Sequence, residues 1–559
     1  MSQLPVILFE PDGYVLDGPK LMGRQSAGHS FLRAAITAAE KSSDKTLVAW
    51  TPMQSSAAVF KQVVAQFSSE VKTDWIQTGQ LDRLAKQGSL FLPGPGLAET
   101  ASQRLRAGPA AYSLIGVTHT LCSHLAMDSI IDMVSAPVMP WDALICTSSA
   151  AQRVVKSLLQ LQAEYLAWRF GVKNFITPKL PIIPLGIHQS DFVFSTAEKT
   201  AARASLQLDT SDVAFLFAGR LSFHAKAHPY QMLTALEQAA QRTKKKLVLI
   251  LCGQFPNNAI QSAFTKAAAL YAPNVRTVWV DGKDPAAYNR AWAASNVFVS
   301  LSDNLQETFG ITPVEAMASG LPVLVADWNG YKDTVVEGVT GFRIQTWMPP
   351  PDIGMALAAA FEAGTINYDR YIGLASMEVS VNHTVLIERL VDLIQNPQLR
   401  ERLGAAGKER VAKVYSWSIV MNQHFALWKE LNEERLKAQK EQAVKLKSAP
   451  RCAPGRQDPY RVFASFPTQM IAPATLVSRS QMQWDASAWE TLLKDPLFAY
   501  AQDFLPKTQH VQHTLQHLST QEISIAELAQ KSNVPVAQVI KWIASMAKIG
   551  LVSLTAASC

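Results

Sequence analysis

The chain has 559 residues, of which 48% are hydrophobic and 17% are charged. This composition provides apolar sequence for about two to four packed domains and excludes a generally disordered chain. The formal net charge of +7 is small for this length. A basic balance of this size suits an anionic substrate or a membrane surface, and it does not by itself indicate binding to nucleic acid.

Five cysteines are spread along the chain without a CxxC spacing. They indicate reduced intracellular thiols, and they fit neither a disulfide framework nor a zinc site. The N-terminal sequence MSQLPVILFEPDG has no basic leader, and no apolar run approaches the length of a membrane span. We therefore expect a cytoplasmic protein with at most peripheral membrane contact.

Two series of short apolar runs alternate with amphipathic stretches, which is the pattern of parallel α/β units. The predicted strands of the first series are residues 5–9, 46–50, 112–117, 143–147 and 181–185. A second series follows a polar patch, with predicted strands at residues 213–218, 247–251, 275–280, 296–300 and 321–326. Two doubly wound Rossmann-like lobes are therefore predicted, over residues 1–195 and 196–415, and such sheets bind ligands beyond the carboxyl ends of their strands.

The remaining sequence changes character twice. Residues 416–432 are predicted to form a crossover helix that returns to the first lobe, and residues 433–462 a charged helix that runs into a linker. Residues 463–559 contain a helix, a turn, a second helix and a short strand, the outline of a winged helix. Because the second helix offers only Lys541 and Lys548, we expect this module to bind a protein partner or a second copy, with no nucleic acid.

The sequence ETFGITPVEAMASGLPVLVADWNG, residues 307–330, places two glutamates eight apart. Thr312 and Glu315 fit a capping box at the start of a short helix that Gly320 ends, so Glu315 could simply satisfy backbone donors. Glu307 has no such explanation. It lies with Phe309 and Gly310 in the loop that enters the helix, where exposed N–H groups can bind an anion.

Two cations follow the first strand of the second lobe. Arg220 and Lys226 stand six apart after the strand at 213–218, where they can converge on a phosphate. Glu307 follows another strand of the same lobe. Because the carboxyl ends of parallel strands meet at one edge of a sheet, the two loops should lie on the same rim.

The order of these motifs resembles the family-four retaining glycosyltransferases of the GT-B fold. The resemblance is carried by GRL with a following lysine, by the two glutamates around PVEAMASGLPVLV, and by three further segments. These segments are WDALICTSSAAQRVV at 141–155, IIPLGIHQSDF at 182–192 and LIQNPQLRERLGAAGKERVAKVYSW at 393–417. The resemblance implies an acceptor lobe, a donor lobe and transfer of a hexose from a nucleotide diphosphate sugar.

The resemblance also implies roles for the residues of the second lobe. Arg220 and Lys226 would bind the donor diphosphate, and Glu315 would bind the ribose of the nucleotide. Glu307 would contact donor-sugar hydroxyls beside the reacting carbon, with the backbone of residues 309–310 nearby. Fixed cations and a helix N-terminus would absorb the charge of the leaving group, so no cofactor and no metal are expected.

The first lobe offers fewer candidates. Gly23 and Gly28 lie in a loop at 18–35 that resembles the family's glycine-rich approach to diphosphate and acceptor, although the GxGxxG form is absent and a packing role stays open. His119 follows the strand at 112–117, where the family often has a histidine near the donor sugar, and a rim or core histidine is the alternative. Asp333 stands where the commoner family pattern has a glutamate, which leaves sugar recognition open.

Several functions remain compatible with these residues. A retaining hexosyltransferase acting on a glycan, lipid-linked or other acceptor, in cell-surface polysaccharide biosynthesis, is the interpretation that the resemblance favours. The alternatives are a nucleic-acid-binding regulator that uses the C-terminal module, a nucleotide-sugar epimerase of the same fold, and a protein that binds sugar nucleotides without turnover. The nucleotide base, the sugar and the acceptor stay undetermined.

Overall fold

The computed structural model describes residues 4–16, 23–482 and 486–556. The chain divides into two compact units, Met1–Ala453 and Pro454–Cys559. The boundary between them falls inside the predicted charged helix and linker at 433–462. Among the described residues, no helix combines the length and the apolar character that crossing a bilayer requires.

The first lobe is built on a six-stranded sheet whose pairings are all parallel. Its strands are β1 (Val6–Leu8), β2 (Thr46–Thr51), β3 (Lys72–Gln77), β4 (Ser89–Phe91), β5 (Ser113–Val117) and β6 (Ala143–Ile145). Its helices are α1 (Gly23–Glu40), α2 (Gln54–Phe67), α3 (Leu81–Gln87), α4 (Leu97–Arg104), α5 (His124–Ile131) and α6 (Ser149–Phe170). The strand order β3-β2-β1-β4-β5-β6 is that of a doubly wound Rossmann-like sheet.

One predicted strand of this lobe is wrong and two strands were missed. Residues 181–185 run beside β6 through an isolated bridge between Cys146 and Ile182, and they are not a strand of the described sheet. Their two prolines lack the N–H groups that a ladder needs. β3 was missed because its side chains are mostly exposed, as suits an edge strand, and β4 because it is only three residues long.

The second lobe repeats this architecture. Its strands are β7 (Val213–Ala218), β8 (Leu247–Gly253), β9 (Val275–Asp281), β10 (Val297–Ser300), β11 (Val323–Ala326) and β12 (Gly341–Ile344), in the order β12-β11-β10-β7-β8-β9. Its helices up to β12 are α7 (Thr196–Ser205), α8 (Tyr230–Thr243), α9 (Asn258–Tyr271), α10 (Pro285–Ala294), α11 (Ile311–Ser319) and α12 (Tyr331–Thr334). All five predicted strands are present, and β12 was missed. The direction in which successive strands are added to the sheet reverses between β7 and β10, and we call this the point where the winding reverses.

Further elements complete this lobe and return the chain to the first one. They are β13 (Thr346–Trp347), α13 (Met355–Glu362), α14 (Tyr368–Met377), β14 (Ser380–Val381), α15 (His383–Gln395), α16 (Pro397–Arg410), α17 (Trp417–Glu441) and α18 (Ala443–Lys447). Trp417, Val420 and Leu427 of α17 pack into the core of the first lobe. The predicted fold class, two Rossmann-like lobes joined by a crossover helix, is confirmed.

The C-terminal unit has its own small core. Its elements are α19 (Pro459–Val462), β15 (Leu476–Arg479), α20 (Ala486–Lys494), α21 (Pro496–Ala499), α22 (Thr508–Gln516), β16 (Ile523–Ser524), α23 (Ile525–Ser532), α24 (Val536–Ile549) and β17 (Val552–Thr555). The strands form an antiparallel sheet in the order β16-β15-β17. Asn533, with a positive φ of 52°, makes the predicted turn between α23 and α24. The likeness to a winged helix stays a prediction.

A buried ion pair connects α4 to the segment that precedes β6. Arg104 and Asp142 have fully buried side chains, and the guanidinium donates to both carboxylate oxygens at 2.6 and 2.7 Å. The same carboxylate accepts from the backbone N–H groups of Leu114 and Met139 at 2.9 and 2.8 Å. Such a pair stabilises a fold only as long as both partners are present.

We expect Asp142→Ala to lower the free energy of unfolding by about 3–5 kcal/mol, because it leaves a buried guanidinium without its counter-charge. Urea and thermal unfolding of the two proteins measure this difference. Asp74→Ala is the control, since its ion pair with Arg83 is about half exposed and should cost less than about 1 kcal/mol. Equal losses in the two variants would contradict the prediction.

Candidate functional site

The loops after β7 and β10 bring the predicted cations and Glu307 to one place. These strands are neighbours in the sheet, and ligands of open α/β sheets bind where the winding reverses. Lys226, on the loop after β7, donates from Nζ to Oε2 of Glu307, on the loop after β10, at 2.5 Å. The two side chains are only 19% and 13% exposed. The two loops therefore share one rim.

The two groups of this ion pair keep each other charged. Burial raises the pKa of Glu307, but the Lys226 ammonium and the N–H groups of Phe309 and Gly310 outweigh burial and hold that pKa below its usual range. Burial also lowers the pKa of Lys226, and Glu307 overcomes this effect, so the pKa of the lysine lies above its usual value. The site therefore contains a fixed ammonium and a fixed carboxylate at neutral pH.

Arg220 adds a second cation at this rim. Its Nη2 donates to the carbonyl of Ala225 at 3.2 Å, within the loop that ends at Lys226. Arg220 and Lys226 thus lie on one loop, where their like charges repel and the charge of Arg220 works against the rise in the Lys226 pKa that Glu307 causes. An anion with two charged oxygens, such as a diphosphate, would relieve this repulsion.

The start of α11 differs from the predicted capping box. The N-cap of α11 is Gly310, with φ +80°, and no side chain caps it in the described structure. Thr312 lies inside the first turn, where its hydroxyl is buried without a partner among the described residues. A Cβ at position 310 would come within 2.0 Å of the Tyr331 ring, so both space and backbone require glycine. The capping box is wrong, whereas Gly320 ends the helix with φ +79° as predicted.

Glu315 is free of a capping role and lies one turn further along α11. Its Oε2 accepts a hydrogen bond from the Tyr288 hydroxyl at 3.1 Å. Burial raises the pKa of Glu315 to about 7. A ligand with hydroxyl donors, such as a ribose, would favour the ionised carboxylate in this half-buried position.

His119 lies after β5 in the first lobe and is held as one tautomer. Its Nε2 lies 3.0 Å from the carbonyl oxygen of Pro93, and because a carbonyl can only accept, Nε2 carries the proton. Burial lowers the pKa of His119 to about 4. The ring is therefore neutral, and Nδ1 is left as a hydrogen-bond acceptor.

The two glycines of the first lobe differ in their surroundings. Gly23 begins α1 in open space, and residues 18–22 of the predicted glycine-rich loop lie outside the described residues. Gly28 lies within α1, and a Cβ there would come within 2.1 Å of the carbonyl oxygen of Gly13. Its small size thus serves the packing of α1 on the loop after β1. The approach of either glycine to a ligand stays a prediction.

Two serines at the start of α6 reach across the cleft between the lobes. Ser148 donates from its hydroxyl to the carbonyl of Thr308 at 2.5 Å. Ser149 donates to the Asp333 carboxylate from its backbone N at 2.5 Å and from its hydroxyl at 2.7 Å. Both serines lie in the segment at 141–155 that carries part of the family resemblance, whereas the sequence leaves the role of Asp333 open. The structure instead places Asp333 against the first turn of α6.

A second bridge between the lobes was missed entirely. The hairpin of α13 and α14 extends from the second lobe to the start of α5 in the first. The hydroxyl of Tyr368 lies 3.3 Å from the Cys122 sulfur, and the rings of Phe361 and His124 stack with centroids 3.8 Å apart. These aromatic residues follow no recognisable motif, so no local signal could have identified the bridge.

No group of three or more His, Cys, Asp or Glu side chains within residues 4–16, 23–482 and 486–556 is placed to hold a metal ion. The expectation that the protein needs no metal stays a prediction.

Residues 198–353 match the family described as Glycosyl transferases group 1. The matched range extends from α7 beyond β12 and includes Arg220, Lys226, Glu307 and Glu315. The resemblance drawn from the motifs is therefore confirmed for the second lobe, which contains a glycosyl transferases group 1 domain.

Similar proteins align over different shares of the chain. The D-inositol 3-phosphate glycosyltransferase of Segniliparus rotundus is 29% identical over 174 residues, which are 31% of this chain and 37% of that protein. The alpha-maltose-1-phosphate synthase of Mycolicibacterium smegmatis is 23% identical over 341 residues, 58% of this chain and 76% of that protein. The chain thus spans little more than a third of the first relative. Among solved structures, Anabaena HepE in complex with UDP aligns at 14% identity over 76% of this chain and all of that chain, with a TM-score of 0.49.

Glu315 should make the stability of the protein depend on pH. Its folded-state pKa of about 7 exceeds the ordinary value of 4.5, so between these values the folded state binds more protons than the unfolded state, and stability falls as the pH rises. We expect the melting temperature of Glu315→Gln to fall less than that of the wild type between about pH 5 and about pH 7.5.

Comparing the wild type with Glu315→Gln separates the effect of Glu315 from that of Asp303, whose pKa is also raised. Burial raises the pKa of Asp303 to about 7 as well, but Asp303 is present in both proteins and cancels in the difference. If the melting temperatures of the two proteins changed equally with pH, the pKa of Glu315 in the folded protein would have its ordinary value.

Proposed function

We propose that this chain, whose second lobe contains a glycosyl transferases group 1 domain, is a retaining hexosyltransferase that uses a nucleotide diphosphate sugar. The second lobe would hold the donor and the first lobe the acceptor. The observation that carries the proposal is the buried Lys226–Glu307 pair beside Arg220, at the point where the winding of the donor-lobe sheet reverses.

The chemistry of the leaving group explains why two cations are needed. The negative charge on the diphosphate grows as the bond to the sugar breaks, and preorganised charges in a buried site stabilise such a transition state most. Arg220 and Lys226 supply this stabilisation on one side, and the first turn of α11 adds its N-terminal partial charge. The departing phosphate oxygen, held by the two cations, would receive the acceptor proton on the same face of the sugar.

Glu307 would change partner when the donor binds. In the structure its carboxylate neutralises Lys226. A diphosphate that pairs with the lysine would leave the carboxylate free to accept hydrogen bonds from sugar hydroxyls beside the reacting carbon. Glu307 would thus bind the sugar and place a negative charge beside it. It would act as neither a general acid nor a general base.

Glu315 and His119 would orient the two ends of the donor. Glu315 would accept hydrogen bonds from the ribose hydroxyls, beside Tyr288. His119, neutral with an acceptor Nδ1, would receive a hydrogen bond from a hydroxyl of the donor sugar on the first-lobe side.

We place the reaction in the cytoplasm, which agrees with the free thiols of Cys122, Cys146, Cys252 and Cys452. The acceptor would be a glycan, a lipid-linked glycan or another hydroxyl compound, with cell-surface polysaccharide biosynthesis as the proposed context. The C-terminal unit would bind a protein partner or a second copy, and contact with a membrane would be peripheral at most.

Calorimetric titration with UDP-, GDP- and ADP-sugars tests the donor. We expect one nucleotide class to bind clearly more tightly than the others, because the base would lie against fixed groups of the donor lobe. NMR of the product from the preferred donor should show that the anomeric configuration of the sugar is retained. Absence of binding to all three classes at millimolar concentration would overturn the proposed function.

We expect Lys226→Ala to lower turnover of the preferred donor by about 10²–10³-fold, because it removes a charge that acts on the developing diphosphate. Lys266→Ala removes an exposed lysine from α9 of the same lobe and serves as the matched control, with unchanged kinetics. Thermal melts of both variants separate lost chemistry from lost folding. Wild-type turnover in Lys226→Ala would remove this residue from the mechanism.

A further inference from the structure

Asp333 is anchored through its backbone to the donor lobe, and its carboxylate extends toward the first lobe. The backbone carbonyl of Asp333 accepts hydrogen bonds from Arg410 Nη2 at 2.7 Å and from the Tyr415 hydroxyl at 3.0 Å. Both residues precede the crossover into α17. The carboxylate then meets two donors of Ser149 at the first turn of the 22-residue helix α6. A negative charge at a helix N-terminus is favourable, so this contact attracts the two lobes toward each other.

The neighbouring serine extends the contact to the loop that carries Glu307. Ser148 is the N-cap of α6, and its hydroxyl accepts from the backbone N–H of Ala151 at 3.1 Å. The same hydroxyl donates to the carbonyl of Thr308, the residue that directly follows Glu307. The first turn of α6 therefore touches both Asp333 and the Glu307 loop.

The segment that leads to Asp333 supports the same loop from the donor lobe. The side-chain amide of Asn329 donates to the backbone carbonyl of Glu307. A Cβ at Gly330 would come within 2.5 Å of the Phe309 Cα, so the two backbones are in close contact. Tyr331 packs its ring against Gly310 in the same way. Residues 329–333 thus join the Glu307 loop at one end to α6 at the other.

Building on the proposed function, we infer that Asp333 is a positioning residue, which couples the docking of the first lobe on α12 to the placement of Glu307. The proposed function assigns Asp333 no contact with the donor. It holds the N-terminus of α6 at the distance at which Ser148 reaches Thr308, so lobe closure and the conformation of the Glu307 loop depend on each other. The sugar-binding carboxylate is then in place only when the acceptor lobe is docked.

Two variants break the contact from opposite sides. Asp333→Ala removes the carboxylate from the donor lobe. Ser149→Pro removes the N–H and the hydroxyl that bind it, and proline is well tolerated at this first helical position, so α6 should be kept. Asp333→Asn keeps an oxygen that can accept from Ser149, and it should restore part of the lost function. Lys332→Ala, an exposed neighbour on α12, is the matched control.

Hydrogen exchange measured by mass spectrometry gives a readout that needs no turnover. We expect faster amide exchange over residues 305–312 in Asp333→Ala and in Ser149→Pro, and wild-type exchange in Lys332→Ala. In kinetic assays with the preferred nucleotide sugar, kcat should fall by about 10- to 10²-fold in both variants, because a small misplacement of a catalytic group is costly. Affinity for the nucleoside diphosphate of the preferred donor, without the sugar, should stay within about twofold of wild type, because Arg220, Lys226 and Glu315 keep their proposed contacts with the diphosphate and the ribose.

Two outcomes would overturn the inference. Wild-type exchange over residues 305–312 in both variants would show that the contact does not reach the Glu307 loop. A loss of affinity for the nucleoside diphosphate of the preferred donor as large as the loss of kcat would place Asp333 among the donor-binding residues instead. Failure of the wild type to bind any sugar nucleotide would count against the proposed function, and the exchange experiment would still decide whether the coupling exists.

Discussion

The ion pair between Lys226 and Glu307 holds together the two loops on which the proposed chemistry depends. These residues are 81 positions apart in the sequence, and only the pairing of β7 with β10 brings their loops side by side. In such a buried place each charge alone would be costly, and each is retained because the other is present. In the proposed function, a diphosphate would pair with the lysine in place of Glu307 and leave the carboxylate free for a sugar.

The loop that carries Glu307 is supported from both lobes. Asn329 and Gly330 contact it from the donor lobe, and Ser148 contacts it from the first lobe. Asp333 fixes the distance between these supports by binding the first turn of α6. A binding carboxylate in a cleft needs such a frame, because a loop alone would leave its position too variable for catalysis.

The location of residues directly after strands could be predicted from the sequence. Contacts between distant helices, strands and loops could not. Arg220, Lys226 and Glu307 stand just after apolar runs, so their common rim follows from parallel topology. The capping box at Thr312 failed because a local pattern cannot show the Tyr331 ring that requires glycine at position 310. The residues at 181–185 were apolar enough for a strand, but their prolines keep them out of the described sheet ladder.

The amino-acid pattern was enough to predict two α/β lobes, the loops that carry the cations and the glutamates, and the family that the second lobe resembles. These features depend on hydrophobic periodicity and on residues close together in the chain, so they can be read from a single sequence. Three contacts required the folded chain: the ion pair of Lys226 with Glu307, the hydrogen bond between Tyr288 and Glu315, and the place of Asp333 at the interface between the lobes. Each of these contacts joins distant segments, and its geometry depends on how whole strands and helices pack.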